Sequence, residues 1–129
     1  MKLRASQERG SAVVEFTLVS VLLVTLFLAI VQIGLVIHVR NTLVASAAEG
    51  ARYAANANRG PADGADRTRT LLASSLSARL GGDVHVRTTE VGGAPAVEVT
   101  VTTTLPVFGL LGVERGLSAT AHAIAEPGR

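Results

Sequence analysis

The chain contains no cysteine, so disulfides and thiolate metal sites are excluded. That absence does not identify a compartment, because exported proteins without cysteine are common. Aromatic residues make up only 3% of a chain that is 48% hydrophobic, so its apolar content is Ala, Val and Leu. Excess charge is also lacking. The formal net charge is +2, the arginines are scattered, and nothing argues for nucleic acid as a partner. At 129 residues there is room for one domain of ordinary size or less. No internal repeat is visible.

What the chain does have is one long apolar run. From Phe16 to Ile37 it carries no charge, and its polar members are Thr17, Ser20, Thr25 and Gln32. A helix of about 22 residues is roughly 33 Å long, which matches a hydrocarbon core of roughly 30 Å. A soluble buried helix of that length would need a larger domain around it than the rest of the chain supplies. The run is therefore expected to span a membrane. Lys2, Arg4 and Arg9 precede it, against Glu8, and positive flanks stay inside. The expected organisation is a basic cytoplasmic leader over 1–10, a transmembrane helix with an extracytoplasmic extension over 11–58, and a small extracytoplasmic domain over 59–129. A secretory signal peptide cleaved after Ala47 is the rival reading, since Ala45-Ser46-Ala47 fits a cleavage pattern. Against it, the apolar run exceeds the usual span of about 7–15 residues, and His38 and Arg40 separate it from that site.

Glu15 does not suit a plain anchor. An acidic residue at the centre of a membrane helix costs on the order of 3 kcal/mol, and less near the edge. Its carboxylate either reaches back to interfacial water or is held for a partner.

These residues carry a resemblance. Arg9-Gly10, four small or apolar residues, then Glu15-Phe16 leading into a long apolar helix resembles the start of a type IV-like pilin. Ala47-Ala48-Glu49-Gly50-Ala51-Arg52-Tyr53-Ala54-Ala55 is similar to a stretch of TadE-like proteins, the pseudopilins of the tight-adherence (Flp) pilus assembly system. The resemblance covers the N-terminal half. It implies that a prepilin-type peptidase cuts between Gly10 and Ser11, that Glu15 and Phe16 make an assembly contact, and that the partners are a pilus assembly platform, other pilin-like proteins and membrane lipid. Physically, Gly10 lets a protease approach its carbonyl closely. Cleavage would free an amine on Ser11, one helical turn or about 6 Å along the axis from Glu15. Within one chain that pairing is strained; between chains offset along a filament it is easy, and low dielectric strengthens it.

Beyond the span, Val39 to Asn58 is rich in Ala and has no Pro, so the helix is expected to continue until Gly60-Pro61. Ser46, Gly50 and Ala54 form one small-residue stripe, and Ala47, Ala51 and Ala55 another. Such stripes let a helix or sheet approach closely, although the segment is also simply Ala-rich. Gly34 and Gly50 are candidate bending points. Residues 59–65 read as a loop, with Asp66 capping a second helix that runs to about Leu80 and ends at Gly81-Gly82. Leu72, Leu76 and Leu80 form its apolar stripe, beside Leu71. Period-two alternation follows over Val84–Arg87, Val97–Thr102 and Leu117–Ile124, with a turn at Gly92-Gly93. The fold class is α+β: a helix pair packed on about three antiparallel strands.

Catalysis finds little support. His38, His85 and His122 lie on separate elements without metal-ligand spacing. No enzyme activity, metal or cofactor is expected. The apolar loop Val107–Leu111 can touch a membrane surface or a partner, or can cover the core. The functional expectation is a membrane-anchored pseudopilin-like component of pilus or secretion machinery. The alternative is a generic single-pass anchored binding domain that is not processed.

Overall fold

The computed structural model describes residues 2–76, 82–105 and 115–127. The elements are α1 (Lys2–Ala55), α2 (Pro61–Ser75), β1 (Asp83–Val91), β2 (Ala94–Leu105) and β3 (Arg115–Ile124). The fold is α+β, with a long N-terminal apolar helix, a second helix and one antiparallel sheet in the order β1-β2-β3. Helix α2 ends at Ser75, short of the expected end near Leu80, because the chain turns extended at Leu76 (φ −122°, ψ 151°). Gly81 and the apolar loop Val107–Leu111 lie outside the described residues.

The chain divides into two compact units, Met1–Leu35 and Val36–Arg129. The first is the N-terminal part of α1. Its large apolar side chains face outward, from Val13 and Phe16 to Ile33 and Leu35. The hydroxyls of Thr17 and Thr25 donate to the carbonyls of Val13 and Val21, one turn back, so these polar groups are satisfied by their own helix. Glu8–Ala55 is long and apolar enough to cross a membrane, with a mean hydropathy of 2.7 over its most apolar window.

In the second unit, Val39, Leu43, Ala47, Ala51, Ala54 and Ala55 of α1 join Ala65, Leu72 and Leu76 and the strand residues Val84, Val97, Val99, Val101 and Ala119 in one core. Helix α1 ends at Ala55 rather than Asn58, and the amide of Glu126 donates to the Ala55 carbonyl at 2.8 Å, which satisfies one of the orphan acceptors of the helix end. Arg52 in the last turn complements the helix dipole.

Helix α2 begins at Pro61, not after Asp66. Pro61 suits the first helical position because it has no amide to leave unsatisfied. The Asp63 carboxylate accepts the Gly60 amide at 2.8 Å, closing the turn that the sequence suggested was loop. Gly64 and Ala65 are then buried helix residues rather than linker.

The two helices meet at backbone range. A Cβ placed on Gly50 would lie 1.8 Å from Thr68 Oγ1 and 2.9 Å from the Gly64 carbonyl oxygen. A Cβ on Gly64 would lie 2.6 Å from Ala54 Cβ and 2.7 Å from the Gly50 oxygen. Helix α1 therefore runs through Gly50, a candidate bending point, and uses its missing side chain for close approach.

The sheet has a core face and a polar face. Gly92 and Gly93 have φ of +60° and +81°, so both central residues of the β1–β2 turn are left-handed, as a type I′ hairpin requires. That turn pairs Val91 with Ala94 and carries the register to Asp83 opposite Thr102. Val84–Val101–Ala119 and Val86–Val99–Ala121 are rows on the core face. His85–Thr100–Thr120 and Arg87–Glu98–His122 are rows on the other.

Gly64→Ala is expected to destabilise the full chain in detergent by about 1–3 kcal/mol, because the added methyl meets a backbone oxygen that cannot rotate away. Gly116→Ala, where an added Cβ meets nothing within 4 Å, serves as the control and should change stability little. Thermal melts followed by circular dichroism read both.

Candidate functional site

Three groups of residues are candidates. The first lies in the N-terminal unit. Gly10, Ser11, Glu15 and Phe16 are all helical and exposed, with Phe16 at 75%. A side chain at Gly10 would meet nothing within 4 Å. Among the described residues no ion pair reaches Glu15. One helix thus presents a glycine with open space beside it, an exposed carboxylate and an aromatic ring within two turns.

The second group surrounds the helix crossing. Ala47, Gly50, Ala51 and Ala54 are buried in the core of the second unit. Their neighbour Glu49 lies outside the core and pairs with Arg67 of α2 at 3.8 Å, both partly exposed. Arg67 also sits 5.9 Å from the centroid of the Tyr53 ring, and the Arg59 guanidinium lies over the same ring at 4.4 Å while donating to its hydroxyl. The Glu49–Tyr53 turn of α1 is thus clasped by two arginines, one on either side of the α2 N-terminus in sequence. These groups fall in a different compact unit from Gly10 and Glu15.

The third group is the row Arg87–Glu98–His122 on the polar face of the sheet. Glu98 is on the central strand and is buried, while Arg87 and His122 remain largely exposed on the flanking strands. Arg87 Nε donates to Glu98 Oε1, and His122 Nε2 lies 2.7 Å from Oε2. An ionised carboxylate only accepts, so Nε2 carries the proton in this pair. The hydrogen bond from Arg87, then that from His122, holds the Glu98 carboxyl below its ordinary range against the opposing effect of burial. The same bond raises Arg87. Beside this row the Thr100 and Thr120 hydroxyls lie 3.2 Å apart.

The sequence reading missed this row because it treated each histidine alone. The signal was present in part. A two-residue Gly-Gly turn makes paired β1 and β2 positions symmetric about it, which places Arg87 opposite Glu98. The sequence offers no comparable two-residue turn signal between β2 and His122.

A protein-family model, TadE, described as TadE-like protein, matches residues 10–52. This agrees with the resemblance to TadE-like pseudopilins carried by Gly10, Glu15 and Glu49–Arg52. The match takes in the apolar helix and most of the helix-crossing segment, and stops before α2 and the sheet. No curated protein and no solved structure matches the chain.

The Glu98 row sets an acid limit on stability. Its folded carboxyl binds a proton less readily than the unfolded one. The associated stability is complete above the ordinary carboxylate range and is lost as pH falls through the lowered folded value. Thermal melts between about pH 6 and about pH 3 should show this acid limb, and Glu98→Gln should flatten it. An unchanged limb in Glu98→Gln would assign the acid sensitivity to other carboxylates.

Proposed function

We propose that this chain is a membrane-anchored, pseudopilin-like component of a tight-adherence pilus or related secretion apparatus. The observation that carries the reading is the TadE-like match over 10–52, which begins at Gly10 and takes in both Glu15 and Glu49–Arg52. Residues 1–10 form a basic cytoplasmic leader. A prepilin-type peptidase cuts after Gly10, and the mature chain begins at Ser11. The apolar helix sits in lipid, and the domain beyond it lies outside the cytoplasm and acts through protein contacts, not catalysis.

In this reading Glu15 is kept for assembly. Its exposed carboxylate is available to the Ser11 amine of a neighbouring copy, to another pilin-like protein, or to a basic group of the assembly platform. At an effective dielectric near 20 and about 4 Å, such a pair has a Coulomb energy of roughly 4 kcal/mol before desolvation is subtracted. A quarter of that changes association about fivefold. Phe16, exposed beside it, adds apolar contact to the same neighbour.

Intact-mass measurement on protein from its native host should show a chain starting at Ser11, and Gly10→Val should leave Met1 in place. A native chain retaining Met1 would overturn processing and favour the plain anchored binding domain. Glu15→Ala and Glu15→Gln should reach normal membrane levels and be processed normally, yet lose co-purification with pilus-assembly proteins. Normal co-purification of both variants would remove the assembly role. Protease added to intact spheroplasts should digest residues beyond 38; digestion only after permeabilisation would reverse the orientation.

A further inference from the structure

Among the described residues of the second unit, the exposed large apolar side chains are Ile37, Val44, Val91 and Ile124. Ile37 and Val44 lie on α1, seven residues apart, with the exposed Asn41 between them. Val39, Leu43 and Ala47, interleaved with them, are fully buried in the core. At 3.6 residues per turn, the Ile37–Asn41–Val44 stripe is centred about 130° round the helix from that core stripe. Among the described residues no hydrogen bond reaches the Asn41 side chain.

The spacing extends beyond this stripe in the sequence. Phe16, Leu23 and Ile30 continue it toward the N-terminus in seven-residue steps, and all three are exposed in the first unit. Every other seven-residue series over the same stretch meets a polar or charged residue, or ends on Leu43 in the core. Ser20, Phe27, Gly34 and Asn41 fall between the apolar members at the alternating four- and three-residue spacing of a two-helix seam, and none is charged. Ala51, the next in the apolar series, is buried in the core, so the series ends at Val44. An apolar repeat of this period fits a helix packed along a parallel neighbour of the same period.

We infer that two copies of this chain pair parallel and in register along α1, with Ile37 and Val44 packed against their own copies and Asn41 bonded to Asn41. Helix α1 is long and apolar enough to cross a membrane. Copies anchored by it point the same way and sit at the same depth, so identical residues meet, and confinement to one plane raises their effective concentration. A carboxamide carries both donors and an acceptor, so two Asn41 side chains satisfy each other. In a parallel two-helix seam, a single polar residue at the inner position fixes register and limits the assembly to two strands. Helical side chains lean toward the N-terminus, so Asn41 covers the turn beside Ile37, where the apolar run ends and water competes less. A helix of another protein must match this depth, spacing and carboxamide; a second copy does so by identity. The two-fold axis runs along the helices, so both chains keep one direction, and the core stripe of each stays off the seam. This pairing has no axial offset, unlike the offset pairing of Glu15 with a neighbouring Ser11. Glu15 belongs to neither seam series and stays available for that contact. The inference rests on the membrane-anchored reading and not on cleavage at Gly10.

The absence of native cysteine makes the test direct. With helix axes about 9 Å apart, the Cα atoms of residue 37 or 44 and its copy are about 5 Å apart, within the range a disulfide spans. Those of the neighbouring residues 38 and 45 are about 9 Å apart or more, which is out of range. With full-length protein in membranes under mild oxidation, Ile37→Cys and Val44→Cys should form disulfide dimers at least about tenfold faster than His38→Cys and Ala45→Cys. Equal rates at the four positions, or no dimer from Ile37→Cys and Val44→Cys, would overturn the inference and leave this stripe to lipid or to another protein's helix. Alkaline carbonate extraction reads anchoring separately. A chain that resists extraction yet does not cross-link counts against the pairing alone, whereas an extracted chain would overturn the anchored reading and the pairing with it. In a second test, Asn41→Asp sets two like charges face to face and should weaken dimerisation at least about tenfold in sedimentation equilibrium of detergent-solubilised protein, while Asn58→Asp should not. Both asparagines are exposed, and circular dichroism confirms that each variant folds. An Asn41→Asp protein as dimeric as Asn58→Asp would also overturn the inference.

Discussion

The backbone-range contact between α1 and α2 is the constraint on which the rest of the second unit depends. Helices with ordinary side chains at the crossing stand 8–10 Å apart, and Gly50 and Gly64 remove that spacing at one point. The cost is that Thr68 becomes completely buried. Its hydroxyl is satisfied inside its own helix, donating to the Gly64 carbonyl at 2.8 Å. With the crossing fixed, the alanines at 47, 51, 54 and 55 enter the core with the strand valines. Alanine buries little area, so this core gains its stability from closeness. Dispersion falls steeply with separation, and an interface of small residues holds only if nothing keeps it apart.

This constraint gives a physical reading of Glu49–Arg52. Gly50 admits α2, Ala51 fills the core, Glu49 reaches Arg67 on α2, and Arg52 faces outward at the negative end of the helix dipole. The TadE-like match ends at Arg52, yet two of these four residues, Glu49 and Gly50, are explained by contacts with a helix beyond it. The segment is therefore a docking surface as much as a continuation of the apolar helix. A chain that keeps these residues needs an element of comparable closeness to cover them, or Gly50 only weakens the helix.

Elements whose patterning is local were legible in the sequence. The apolar run needed only length and the absence of charge. The β2 strand needed only alternation of Val97, Val99 and Val101 with Glu98, Thr100 and Thr102, and Gly92-Gly93 gave the turn. The start of α2 was not legible as read, because Gly60-Pro61 looks like a terminator to the preceding helix and serves equally as an initiator for the next. Asp63 is what decides it: its carboxylate accepts the Gly60 amide. The small-residue stripes were visible, but composition could not say what they face. The charged row was only half legible, since Arg87 and Glu98 are tied by a two-residue turn while His122 arrives over a long connection. Gly10 and Glu15 were legible as a spacing, and the structure adds their exposure on the helix.

The same row bears on how β3 finds its place. After Arg115 its residues are Gly, Ser, Thr and Ala with Leu117, His122 and Ile124, so its two faces differ little in size or polarity. A slip of one residue is opposed by the core, because it would turn Leu117 and the alanines to the polar side. A slip of two residues is opposed less. It keeps every apolar position on the core face, exchanges alanine for alanine at the inner positions, and changes side-chain size only where Leu117 and Ala119 trade places. Polar pairing adds to that single size change in separating the native register from the alternative. In the observed register His122 meets the second oxygen of Glu98, and Thr120 meets Thr100. Two residues away, Glu98 would face Thr120 or Ile124, and one oxygen of a buried carboxylate would lose its histidine partner. Leaving a buried acceptor less satisfied costs more than making the bond gains. Glu98 therefore acts as a registration mark: Arg87 holds one oxygen through the hairpin, and the free oxygen selects where β3 stops sliding.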